Sequence, residues 1–174
     1  AAAVAGGVAS ALASMVVAYS VGKKSLEPHR QTLRNAADRL EEMRGAFLAL
    51  GDEDAAAYAD LNAIRQLDAE DPRRVADEPG AVRRAVAAPR AVLDLSLELL
   101  GVVEGLVGIT NPHLRSDLAV AAVTAESAAA SAGWNVRVNI PLLPENEHAS
   151  ALDQLARSLE DARASRQRVE QACA

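Results

Sequence analysis

The stretch Asn111–Asn139, NPHLRSDLAVAAVTAESAAASAGWNVRVN, has almost no charge to show to water. It opens with an Asn-Pro turn, a Ser-Asp helix start and Arg115; after Asp117 the only charge before Arg137 is Glu126. That pattern predicts a long helix buried nearly all round rather than a surface helix with one apolar stripe. At about 100° per residue, Asp117, Thr124, Ser131 and Asn135 fall in one narrow sector, with Asn139 near its edge. Ala121 and Ala128 fill the gaps in that sector, and Ser127 lies well to one side. Such a helix either packs closely against another helix or faces a polar cavity. Asp117 and Asn135 share the face but stand about 27 Å apart along it, so one helix does not bring both to the same atom. Each end is a candidate in its own right, and the middle suits close packing.

Residues 1–21, AAAVAGGVASALASMVVAYSV, carry no charge at all. By length the run is a membrane-span candidate. Ala, Gly and Ser dominate it, however, and Leu12 is its only leucine. No basic region precedes it, so it does not read as a secretory signal. Small residues at Ala3, Gly7, Ala11 and Ser14 predict a second buried helix lying against the first, ending at Gly22. The basic pair Lys23-Lys24 follows, placed to complement the helix dipole or to hold an anion.

Hydrophobic residues make up 50% of the 174-residue chain and aromatics only 2%. The core must come from Leu, Val, Ile and Ala, which favours closely packed helices. We expect an all-α bundle of about five main helices in one domain spanning 1–174, with two apolar helices packed against three covering ones. A formal charge of −6 and the lack of an RNA-reading aromatic set argue against nucleic acid as a partner. Cys173 is the only cysteine, which rules out an internal disulfide and suits a reducing cytoplasm. His29, His113 and His148 lack metal-ligand spacing. No nucleophile elbow, phosphate loop, dinucleotide fingerprint or zinc-protease motif occurs.

A heptad-like stripe runs through Leu33, Ala36 or Ala37, Leu40, Met43, Phe47 and Leu50, with charges off it. Gly51-Asp52 interrupts or bends that helix. The same register continues through Asp54, Ala57 or Tyr58, Leu61 and Ile64, so Asp54 stands where the pattern calls for an apolar residue. Two explanations compete. The helix restarts at Gly51, with Asp52-Glu53-Asp54 as cap and first-turn charge; or Asp54 is a partly desolvated carboxylate suited to acid–base work, with Tyr58 one turn on. Residues 67–80 form a polar, mobile connector. A helix from about Ala81 to Ile109 is kinked or split at Pro89. From Glu145 onward, Leu152, Leu155, Leu159, Ala162 and Val169 mark an amphipathic covering helix. Taken without a family, these features describe a helical bundle with a polar pocket, or equally a non-catalytic helical adaptor.

Three segments in order resemble the cyclodeaminase/cyclohydrolase family: SVGKK at Ser20–Lys24, GDEDAAAY at Gly51–Tyr58, and NPHLRSDLAVAA with NVRVN at Asn111–Ala122 and Asn135–Asn139. The resemblance implies a helical bundle that forms a homodimer, with a tetrahydrofolate derivative as substrate, no metal and no redox cofactor. It implies either closure of 5-formimino-tetrahydrofolate to the 5,10-methenyl form with loss of ammonia, or hydration of the methenyl bridge to 10-formyl-tetrahydrofolate. The family's catalytic carboxylate falls on Asp54. Lys23 and Lys24 match the basic pair that would meet the folate tail or pterin edge. Tyr58, Asn111, Ser116, Asp117, Asn135 and Asn139 match substrate-contacting positions, or positions that cap helices or meet a second subunit. The family usually carries a Gly-rich segment just before the first helix, and this chain starts after it. Ser25 and Leu26 replace the polar residue and aromatic that often follow the basic pair. The rival implied by the same fold is a helical interaction module without chemistry.

Overall fold

Each long apolar pattern becomes a helix in the computed structural model, which describes residues 1–174. Five α-helices follow one another: α1 (Ala2–Ala18), α2 (Arg30–Arg65), α3 (Pro72–Gly105), α4 (Arg115–Asn139) and α5 (Glu145–Cys173). Short 3-10 segments at Lys24–His29, Pro112–Leu114 and Ile140–Leu142 connect them, and there are no strands. α4 packs against α1, α3 and α5, while α2 closes the other side against α1 and α3. The core is aliphatic, built on Leu33, Leu40, Met43, Leu93, Leu99, Leu118 and Leu155 around a single Phe47. Alanines 121, 122, 125, 129 and 132 of α4 are fully buried within it.

α1 runs antiparallel to α4. Near one end of the pair, the Asn111 N–H donates to Ser20 Oγ at 2.8 Å. At the other end, Ala1–Ala3 lie beside Ala132 and Asn135.

Several expectations are corrected. α4 is not buried nearly all round: its neighbours cover three sides, and Val120, Val123, Trp134 and Val138 stay exposed. α1 likewise exposes Val4 and Val8. It ends at Ala18, not Gly22; the chain then turns, with Gly22 at φ 87°. Gly51 neither breaks nor restarts α2, which is continuous. A Cβ at position 51 would stand 3.3 Å from the Ala3 methyl, so this glycine serves close packing of α1 on α2. The acidic triplet therefore caps nothing, and the cap explanation for Asp54 falls.

Most of the expected connector is helix as well. Asp71 caps α3, its Oδ1 accepting the Arg73 N–H at 2.8 Å, and Pro72 takes the first helical position, where a missing N–H costs nothing. The Arg73 guanidinium and N–H hold the Asp71 carboxyl at about 2. α3 then passes through Pro79 and Pro89 without splitting. No helix is long and apolar enough to cross a membrane.

Candidate active site

Asp54 and Tyr58 lie one turn apart on α2, and Asn135 and Asn139 one turn apart at the end of α4. The unbroken register of α2 carries Asp54 to the side that meets the other helices, so it is half-buried. These four side chains, with Ala55, Ala85 and Val138, line one cleft of about 280 Å³. Asp54 and Asn135 also line a narrower hollow of about 40 Å³ beneath the start of α1, walled by Ala2, Ala132 and Pro89. The cleft thus offers a carboxylate, a phenol and two amides on apolar walls, and no basic residue lines it.

Asn139 is held in place. Its Nδ2 donates to the Ala85 carbonyl at 2.8 Å, which leaves Oδ1 as the amide's free acceptor. At the same end of α4 the Arg137 guanidinium lies 5.7 Å from the centre of the exposed Trp134 ring, within cation–π range.

Three larger clefts occur elsewhere. One, of about 400 Å³, is bordered by Arg65, Arg74 and Glu78; a second, of about 460 Å³, by Glu53, Asp60, Arg84 and alanines; a third, of about 390 Å³, by Asp60, Asp77 and Arg84. Most of their charges are paired. Both Arg65 and Arg74 bond Glu78 at 2.8 Å, Arg74 foremost in holding that carboxyl below its ordinary range. Asp60 faces Arg84 at 3.8 Å. Size alone does not mark the chemistry here.

Other residues singled out in the sequence gather at the opposite end. Lys23, Lys24 and Ser116 are exposed, Asp117 is half-buried and Asn111 is buried. Asn111 is occupied structurally: besides its bond to Ser20, its Oδ1 accepts the His113 N–H at 3.3 Å. One chain therefore unites Asp54, Tyr58, Asn135 and Asn139, and keeps Lys23, Lys24, Asn111, Ser116 and Asp117 a helix length away. The sequence reading missed the Ala85 carbonyl and Val138. A signal for the first was present, because Pro89 stands four residues after Ala85 and has no N–H to give it.

The sequence profile of the formiminotransferase-cyclodeaminase family matches residues 1–158. The chain belongs to that family. It is 29% identical over 154 residues to formimidoyltransferase-cyclodeaminase of Sus scrofa, a match covering 86% of this chain and 28% of that protein. The chain thus corresponds to under a third of the pig protein's length. It is 28% identical over 174 residues to methenyltetrahydrofolate cyclohydrolase of Methylorubrum extorquens, covering 97% of this chain and 84% of that one. In fold it is similar to the crystal structure of formiminotetrahydrofolate cyclodeaminase from Thermotoga maritima, with a TM-score of 0.88 at 22% identity, over 98% of this chain and 84% of that one.

Proposed function

We propose that this family member is a folate one-carbon enzyme, a formiminotetrahydrofolate cyclodeaminase or methenyltetrahydrofolate cyclohydrolase, in which Asp54 moves the proton. One observation carries the assignment of the chemistry: the half-buried carboxylate shares a cleft with two amides and a phenol, with no cation to neutralise it. In the hydration direction, water adds to the methenyl carbon and gives a proton to Asp54. The C–N5 bond then breaks as Asp54 returns that proton to N5, and the new hydroxyl releases its own proton to water as it becomes the carbonyl of the formyl group on N10. In the deaminating direction, N10 attacks the carbon of the protonated formimino group and loses its proton to Asp54. Asp54 passes it to the departing nitrogen, which leaves as ammonia. Both routes need one carboxylate that changes protonation state twice. Asn135 and Asn139 supply directional hydrogen bonds to the pterin, and Tyr58 borders the open mouth.

The active form in this proposal is a homodimer. α1 contains no charged residue from Ala2 to Ala18, yet exposes Val4 and Val8. The open side of α4 adds Val120, Val123 and Trp134. Uncharged faces of this kind call for a cover. A two-fold axis across the middle of the antiparallel α1–α4 pair sets the partner's Lys23–Lys24 and Asp117 end beside this chain's Asp54 end. A long folate then reaches both groups, the cationic pair meeting its carboxylate tail.

The test follows the absorbance of 5,10-methenyl-tetrahydrofolate, with ammonia release from 5-formimino-tetrahydrofolate measured in parallel. A rate above the buffer control with one substrate is expected, and which one responds tells hydrolase from deaminase. No rate with either overturns the proposal.

A further inference from the structure

We propose that Pro89, buried in α3, is a positioning residue of the Asp54 cleft, because its missing N–H reserves the Ala85 carbonyl for the Asn139 side chain. In an uninterrupted helix the Ala85 carbonyl accepts the N–H of residue 89. Proline has none, and a buried carbonyl without a donor is costly. Ala85 is buried and its carbonyl finds its donor on α4, where Asn139 Nδ2 approaches to 2.8 Å. This bond fixes which way the amide points. With one Nδ2 proton given to the backbone, the amide cannot flip without losing that bond, and Oδ1 is kept as a free acceptor for a donor on the bound molecule. The Pro89 ring also walls the hollow that Asp54 and Asn135 share. A helix-breaking residue inside a continuous helix thus coordinates two sides of the site: it shapes the space beside the carboxylate and orients the amide.

The kinetic side of this inference rests on the folate reading of the cleft; the hydrogen-bond side does not. In Pro89→Ala the restored N–H closes the helical bond and competes for the Ala85 carbonyl. The Asn139 side-chain amide, assigned in ¹⁵N spectra by its loss in Asn139→Ala, is expected to exchange its protons about tenfold faster in Pro89→Ala, in line with the loss of one hydrogen bond. Unchanged exchange overturns the proposal.

With the substrate that turns over, Pro89→Ala is expected to raise KM about tenfold with kcat little altered, since the bond holds ground and transition states alike. In an Asn139→Ala background the same substitution is expected to raise KM far less, leaving only the effect of removing the ring from the hollow. Equal effects in both backgrounds mean that Pro89 acts only through helix geometry, and overturn the proposal. Should Pro89→Ala not fold, Asn139→Asp keeps the acceptor and removes the donor; a KM unchanged by it is equally fatal. If neither folate turns over in the unaltered protein, the folate reading fails and the exchange measurement still decides the relay.

Discussion

Ser20 Oγ holds the end of the first helix to the start of the fourth: it accepts the Asn111 N–H at 2.8 Å while donating its own proton to the Val16 carbonyl at 2.6 Å. Both residues are buried, so no water replaces either bond. Ser20→Ala leaves the Asn111 N–H without an acceptor. We expect a loss of about 1–3 kcal/mol, read as a lower urea midpoint with the helical circular-dichroism signal intact. An unchanged midpoint would show that the bond contributes nothing.

Gly6 bears the closest contact between α1 and the core. A Cβ there would stand 2.3 Å from a ring carbon of Phe47, which is fully buried and has nowhere to move. Gly6→Ala is expected to cost about 1–3 kcal/mol through overpacking. Gly7, the glycine favoured from sequence spacing, meets nothing within 4 Å of an added Cβ. Gly7→Ala should therefore be neutral or stabilise by up to about 1 kcal/mol through helix propensity. Denaturation midpoints moving in the same direction for both variants would refute this distinction.

Asp54→Asn keeps the shape of the side chain and removes its capacity to take a proton. Turnover is expected to fall by about 10²–10⁴-fold, with the thermal midpoint little changed. Turnover near that of the unaltered protein would move the proton transfer to another group.

Val8→Lys and Val123→Glu place charges on the open faces of α1 and α4. Sedimentation equilibrium is expected to show a dimer for the parent chain and monomers for the variants, with helicity retained. Because the proposed site spans both subunits, the monomers should also lose turnover. A dimer that survives both substitutions would place the subunit contact elsewhere.

Glu104 ties α3 to α5, accepting from Arg168 at 2.6 and 2.9 Å and from Ser165 Oγ at 2.9 Å. Arg168 first and Ser165 second hold its carboxyl below the ordinary range. A depressed folded value means that this stabilisation is complete above the unfolded pKa of about 4.3 and is lost as pH falls through the folded value. Glu104→Gln should lower stability by about 1 kcal/mol near neutral pH, and less as the medium becomes acid. Equal losses at pH 7 and pH 3 in urea titrations would contradict that assignment.

The periodic signals were legible over most of the chain. Leu33, Leu40, Met43 and Phe47 form the predicted stripe and are buried, as are Leu155, Ala162 and Val169 on α5. Leu152, expected in the same stripe, is exposed, while its neighbour Ala151 packs on the core instead. The breaks expected at Gly51 and Pro89 do not occur, because packing of α2 and α3 against neighbouring helices holds each continuous. Within 67–80 the helix start was itself in the sequence, as an Asp71 cap followed by Pro72.

At Asp54 the two sources divide clearly. Its place in an apolar register, and its match to the family's acidic motif, are properties of the sequence alone. So is the helical character of the chain, because a chain rich in Ala, Leu and Val with few aromatics buries its surface most readily between closely spaced helices. Only the tertiary structure decided which distant residues meet Asp54. Asn135 and Asn139 reach it, and Lys23 and Asp117 do not, because α1 and α4 run antiparallel and each is a rigid rod. Periodicity places a residue on a face of its own helix. It carries no information about which end of another helix lies opposite, and that pairing depends on contacts such as Ser20 with Asn111 and Ala85 with Asn139.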